Sequence, residues 1–302
     1  MPDPSFAAGE GLTRILCAMA VLYALLALAS AGSMLSTAPG HPLRAQVNAW
    51  WLIFPVVSAS LLLAPHGPPL LLLLIAWLAW RELAGLCPPA QRSRFTLACA
   101  AAGAWQVGLT WRAPGWACGA MAALLLAAAW RFRLRPSAER LLLLLFVLLG
   151  LGLSFVPLLL QRAAAAGAAG LGWYFYLFGL TALNDIGQFI AGKRFGRHHI
   201  AARISPQKTW QGLAGGMVMS VGVSLALGTY LALAGTSTLV LLGLLLSLAG
   251  FAGDLLFSAA KRWLGVKDFS RLIPGHGGIL DRVDSLVLTA PTLYLARAAL
   301  LS

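Results

Sequence analysis

Apolar residues in this chain come in long unbroken runs separated by short polar connections, not at the spacing of a single buried helix face. A bilayer core is crossed by about 20 apolar residues in helical form. Runs of that order lie at 11–34, 47–64, 69–86, 95–111, 115–130, 140–160, 164–183, 211–233, 238–259 and 283–300. The pattern predicts an all-α, polytopic integral membrane protein with about 9–10 transmembrane helices. The short third and fifth runs also suit re-entrant segments. Trp50, Trp51, Trp77, Trp80, Trp111, Trp116 and Trp130 stand near run ends, where interfacial anchors belong. The first run exceeds the ~7–15-residue core of a cleavable signal, and Asp3 and Glu10 precede it, so it reads as a first membrane helix. The Leu and Ala tracts are membrane composition rather than a long internal repeat.

Composition agrees with the bilayer reading. Of 302 residues, 60% are hydrophobic and 10% charged, against about 25% charged in a soluble domain. The net charge of +13 would suit nucleic acid, but no soluble basic domain accompanies it, and nucleic acid is not expected as a partner. Loop topology explains the charge better, because cytoplasmic loops collect Lys and Arg. With the N-terminus outside, the inside loops hold 18 of the 22 basic residues, and the connections His66–Pro69 and Ala234–Thr238 hold none. Cys17, Cys87, Cys99 and Cys118 show no CxxC spacing and read as small core residues, not as a disulfide framework or a zinc site.

The acidic residues change the picture more. The chain has nine, and Asp254, Asp268, Asp281 and Asp284 fall together near its C-terminal end. All of its lysines (Lys193, Lys208, Lys261 and Lys267) lie in that stretch or in the loop 184–210. Two apolar runs, 211–233 and 238–259, separate the loops 184–210 and 260–282. Two crossings return the chain to its starting side, so both charged loops face one compartment and can build one site. The chain divides accordingly into N-terminal membrane helices, 1–160, and a C-terminal catalytic membrane region, 161–302.

Within the first loop, Ser205-Pro206-Gln207-Lys208-Thr209 is expected to open the next helix, an N-terminus suited to an anion; an ordinary capped basic loop is the plainer alternative. In the second, Asp254, Ser258 and Lys261 at i, i+4 and i+7 share one face of a helix end. A carboxylate there needs a cation, and Lys261 or a divalent metal would serve. Pro274-Gly275-His276-Gly277-Gly278 is a turn of little bulk whose N–H groups can approach an anion. Asp281 and Asp284, at i and i+3, place two carboxylates on one face at the start of the last helix. As plain structure they would be helix N-terminal charges. Carboxylates beside a glycine turn and basic residues suit metal-assisted phosphoryl or nucleotidyl transfer.

The string Ser258-x-x-Lys261-Arg262-x4-Lys267-Asp268-x-Ser270-x-x-Ile273-Pro274-x-His276-Gly277-Gly278-x-x-Asp281-Arg282-x-Asp284 resembles the signature of the phosphatidate cytidylyltransferases, or CDP-diacylglycerol synthases. Ser205-Pro206-x-Lys208-Thr209-Trp210-x-Gly212 resembles that family's second characteristic stretch. Ala260, where a larger aliphatic residue is usual, and Gln188, where a small residue is usual, depart from the pattern.

The resemblance implies an enzyme of the bacterial-type inner membrane, its site facing the cytoplasm, that transfers CMP from CTP to phosphatidic acid for phospholipid biosynthesis. It implies Asp254, Asp281 and Asp284 as ligands of Mg2+, with room for a second ion, and Lys261 beside them in catalysis. Ser205, Lys208, Thr209, Ser258, Arg262, His276, Gly277, Gly278 and Arg282 are expected to bind substrate or phosphate, with Asp185, Lys267 and Asp268 as further candidates. Arg271, His198 and His199 suit lipid headgroups. The expected partners are CTP, a lipid phosphate, the bilayer and a second copy of the chain. A CTP-using enzyme with another acceptor, CDP-archaeol synthase-like or polyprenol kinase-like, and a transporter are the competing classes.

Overall fold

A computed structural model of the protein describes residues 4–38, 41–132, 138–161, 168–270, 272 and 277–301. Its helices are α1 (Pro4–Ser36), α2 (Pro42–Leu62), α3 (Gly67–Leu86), α4 (Arg92–Arg112), α5 (Pro114–Phe132), α6 (Ala138–Gln161) and α7 (Ala168–Phe195). A two-stranded hairpin follows, β1 (His199–Ala201) and β2 (Ser205–Thr209). Then come α8 (Trp210–Tyr230), α9 (Thr236–Trp263), the one-turn α10 (Leu280–Val283) and α11 (Leu286–Leu300). Each predicted run is mainly helical over its described residues. Among the described residues, six helices (α1, α2, α3, α6, α8 and α9) are long and apolar enough to cross a membrane on those criteria alone. The protein is all-α apart from the hairpin, and polytopic.

Burial separates the centre from the periphery. In α6, 78% of the most apolar window is inside the protein, against 11% in α1. Helix α6 is thus the hub: α11, α4 and α3 pack around it, while α7, α8 and α9 pack in sequence beside α11. Small residues let these backbones approach. A Cβ on Gly152 of α6 would lie 2.2 Å from the Val287 carbonyl of α11, and one on Gly253 of α9 would lie 2.4 Å from that of Asp284. Replacing Gly152 by Ala is expected to destabilise the detergent-solubilised protein by about 1–3 kcal/mol through overpacking, read as a lower midpoint of thermal unfolding.

Polar side chains join the same helices where water cannot. Asn184 Oδ1 accepts hydrogen bonds from Ser220 Oγ (3.0 Å) and Ser247 Oγ (2.7 Å), tying α7 to α8 and α9. Thr181 Oγ1 donates to Thr289 Oγ1 at 3.1 Å, tying α7 to α11.

The hairpin corrects one expectation. Ser205–Thr209 does not open a helix; it is strand β2, paired antiparallel with β1 in the register His199 with Thr209. The helix begins only at Trp210, where Thr209 Oγ1 accepts the Gly212 N–H at 3.1 Å as N-cap. Pro206 precedes this cap and has extended pairing instead. Gln211 completes the turn by accepting the Arg197 and His198 N–H groups and bonding His198 Nδ1 at 2.9 Å.

Candidate active site

Helix α9 carries Asp254 and Ser258 one turn apart, and Ser258 Oγ donates to Asp254 Oδ1 at 3.1 Å. Lys261 is not the partner of Asp254. Seven residues of helix rise about 10 Å, beyond the reach of a direct pair. Asp254 Oδ2 instead meets Lys208 Nζ of β2 at 2.5 Å. That ammonium also donates to Gln188 Oε1 of α7 at 3.4 Å and lies 5.0 Å from the centre of the Phe251 ring. Lys261 Nζ meets Asp281 Oδ1 of α10 at 2.6 Å. Two crossed pairs thus join β2 to α9 and α9 to α10. Arg262 Nε adds a third tie by donating to the Ile204 carbonyl at 3.0 Å. Much of the first predicted loop is helix, 184–195 being the end of α7, and these contacts bring that end and the hairpin against the end of α9, which is tied in turn to α10.

The two aspartates near the C-terminal helix have different surroundings. Asp281 is buried, and its Oδ2 accepts the N–H groups of Gly278 (2.9 Å) and Phe269 (3.2 Å). Gly277 has φ +78°, and a Cβ there would lie 2.7 Å from Asp281 Oδ2, so glycine is needed for both conformation and space. Asp284 is also buried; its Oδ1 accepts the Ser285 N–H at 2.8 Å. Ser285 Oγ reaches across to Asp185 Oδ2 at 3.1 Å. The carboxylates of Asp185, Asp254 and Asp284 lie close enough to repel one another, with Lys208, Lys261 and Arg282 close enough to offset them.

Other predicted residues are placed less centrally. Thr209 is committed to capping α8, and Ser205 is half-buried in β2. Lys267 and Asp268 are exposed beyond α9 and form no ion pair with each other. His276, with Arg271, Pro274 and Gly275, lies outside the described residues. Gln188 is buried, and its Nε2 has no protein partner.

One site residue had no place in the motif reading. Glu82, near the end of α3, is 7% exposed, and its carboxylate accepts from Ser270 Oγ (2.6 Å), the Ile279 N–H (2.7 Å) and the Leu280 N–H (3.2 Å). A lone acid inside an apolar run was the available signal.

A hard divalent cation takes oxygen ligands. Asp254, Asp284 and neighbouring Asp185 supply that chemistry, and their mutual repulsion favours an added positive charge. Asp281 fits less directly, because Lys261 and two N–H groups already hold its oxygens. Among the described residues, no three Asp, Glu, His or Cys side chains already surround one point.

The fold and the paired charges describe a polytopic all-α membrane protein with basic and acidic side chains gathered at the ends of α7, α9 and α10. The model of the cytidylyltransferase family matches residues 44–300, and the chain belongs to that family. Three relatives match part of the chain. Uncharacterized protein YnbB of Escherichia coli (strain K12) is 46% identical over 119 residues, 39% of this chain and 40% of that protein. Phosphatidate cytidylyltransferase of Brucella suis is 43% identical over 120 residues, 40% of this chain and 44% of that enzyme. The Mycobacterium bovis phosphatidate cytidylyltransferase is 37% identical over 126 residues, 42% of this chain and 41% of that enzyme. The match therefore spans about two-fifths of the length of each relative.

Proposed function

We propose that the protein transfers CMP from CTP to the phosphate of phosphatidic acid, giving CDP-diacylglycerol and pyrophosphate for phospholipid biosynthesis. The observation that carries this reading is the crossed pairing Lys208–Asp254 and Lys261–Asp281, which brings both signature loops into one site. Family membership supports CTP as donor, and the names of the Brucella and Mycobacterium relatives support phosphatidic acid as acceptor. The site is proposed to face the cytoplasm of a bacterial inner membrane, on the side where the basic loops collect.

The lipid phosphate is already anionic, so the step needs no strong base. A lipid phosphate oxygen forms a bond to the α-phosphorus of CTP while the bond from that phosphorus to the bridging oxygen breaks, and pyrophosphate leaves with the electron pair. Both reactants are polyanions that repel in water. Lys208, Lys261, Arg262 and Arg282 offset that charge. Ser205 and Ser258 offer hydrogen bonds to phosphate oxygens beside the Gly277–Gly278 turn, whose Gly278 N–H is held by Asp281, and Lys267 waits at the exposed rim. Asp254 and Asp284, with Asp281 once it exchanges Lys261, would hold Mg2+, which supplies Lewis-acid stabilisation of phosphate charge when bound.

The test is incubation of the detergent-purified protein with phosphatidic acid and CTP labelled in cytosine or in the γ-phosphate, followed by lipid extraction. Cytosine label in the lipid fraction, lost when EDTA removes divalent metal, is the expected result. Only γ-phosphate label there would make the protein a kinase. Uptake by proteoliposomes with no CTP turnover would make it a transporter.

A further inference from the structure

We infer that Glu82 is a positioning residue that fixes the start of α10 and so presents Asp281 to Lys261. The inference rests in part on the proposed nucleotidyl transfer, because α10 carries residues of that site.

The chemistry of the contact is specific. A buried carboxylate is costly unless hydrogen-bonded, and Glu82 satisfies that need from the Ser270 hydroxyl and from the Ile279 and Leu280 N–H groups. Those two amides stand where α10 begins, so they lack helical acceptors of their own. Glu82 thus acts as a helix cap supplied from α3, nearly 200 residues away in sequence. Asp281 grips the sequence neighbours of Ser270 and Ile279, through the Phe269 and Gly278 N–H groups. Two carboxylates clasp both stretches.

The geometry also accounts for a glycine that the motif alone left unexplained. A Cβ on Gly278 would lie 2.4 Å from Glu82 Oε2 and 2.6 Å from Oε1, so a side chain there would push the carboxylate off its place. On the far side the turn borders a cleft of ≈ 560 Å³ lined by Arg81, Glu82, Gly85, Leu86, Phe269, Ser270 and Leu272. The N-terminal half therefore contributes to the site directly, through a side chain.

The experiment compares Glu82→Gln, Glu82→Ala, Gly278→Ala and the Glu82→Ala/Gly278→Ala double variant in monodisperse, detergent-purified full-length protein. It reads kcat and KM for CTP, and separately the hydrogen exchange of amides 278–281. Misplacement of about 1 Å in a catalytic group lowers rate by about 100-fold. Glu82→Ala is expected to lower kcat on that scale, with exchange at 278–281 increased. Glu82→Gln keeps an acceptor for Ser270 and is expected to retain more activity than Glu82→Ala. Gly278→Ala should impair the otherwise intact protein, yet add nothing to Glu82→Ala, because its clash needs the carboxylate. If Glu82→Ala does not yield folded protein, Glu82→Gln and Gly278→Ala decide the matter through the same exchange readout. Unchanged exchange together with additive effects, or with unchanged kcat in Glu82→Gln and Gly278→Ala, overturns the inference. A protein with no CTP turnover whose exchange at 278–281 still follows Glu82 would overturn the proposed function while leaving the positioning role standing.

Discussion

Asp284→Asn should lower Mg2+-dependent formation of CDP-lipid about 1,000-fold or more while leaving the fold intact, the scale expected when a charge essential to phosphate chemistry is lost. The substitution is nearly isosteric, and its amide oxygen can still accept the Ser285 N–H. What disappears is one of three negative charges, Asp185, Asp254 and Asp284, that disfavour one another. Removing mutual repulsion should hold or raise the midpoint of thermal unfolding as activity falls, the signature of a charge kept for function at the expense of stability. Activity within a few-fold of wild type, with unfolding unchanged, would remove Asp284 from the cation site and from the mechanism.

The second large effect is expected at Lys261. Its ammonium and the Asp281 carboxylate are only 12% and 5% exposed. Lys261→Met leaves that carboxylate buried with N–H donors but no cation, which destabilises by about 3–5 kcal/mol. Asp281→Asn in the same molecule removes the orphaned charge and should recover most of that stability. It should not recover turnover, because the cation proposed to offset phosphate charge is still missing. Unfolding by urea and CDP-lipid assays on the two single variants and the double variant read both quantities. A double variant that regains activity along with stability would show that the pair is scaffolding only.

Much of this architecture can be read directly from the chain. Long apolar runs can satisfy their backbone in a bilayer only as helices, and each predicted run is mainly helical over its described residues. The pairing of the two loops follows from counting crossings between them. The motif register picked out Lys208, Asp254, Lys261, Asp281 and Asp284, and the ion pairs join four of these in two couples. The couples themselves were not legible. Helical spacing pointed Lys261 at Asp254, but two turns of rise hold them apart, and the partner of each comes from another element. The anion-binding helix start predicted at Ser205 became a strand, because residues 199–209 pair with each other before the Thr209 cap.

Glu82 shows where local patterning stops. Nothing in its neighbourhood in sequence links it to a glycine turn almost 200 residues later, and only the packing of α3 beside α6 and the α9–α10 turn brings them together. The sequence by itself determined the membrane class, the helical runs, the two charged loops and the residue types at the site, because hydropathy and motif spacing are local properties. Tertiary structure alone decided which lysine meets which aspartate, that Ser285 reaches Asp185, and that a first-half glutamate accepts the first N–H groups of α10. Those are contacts across helices, and their distances depend on how the bundle closes.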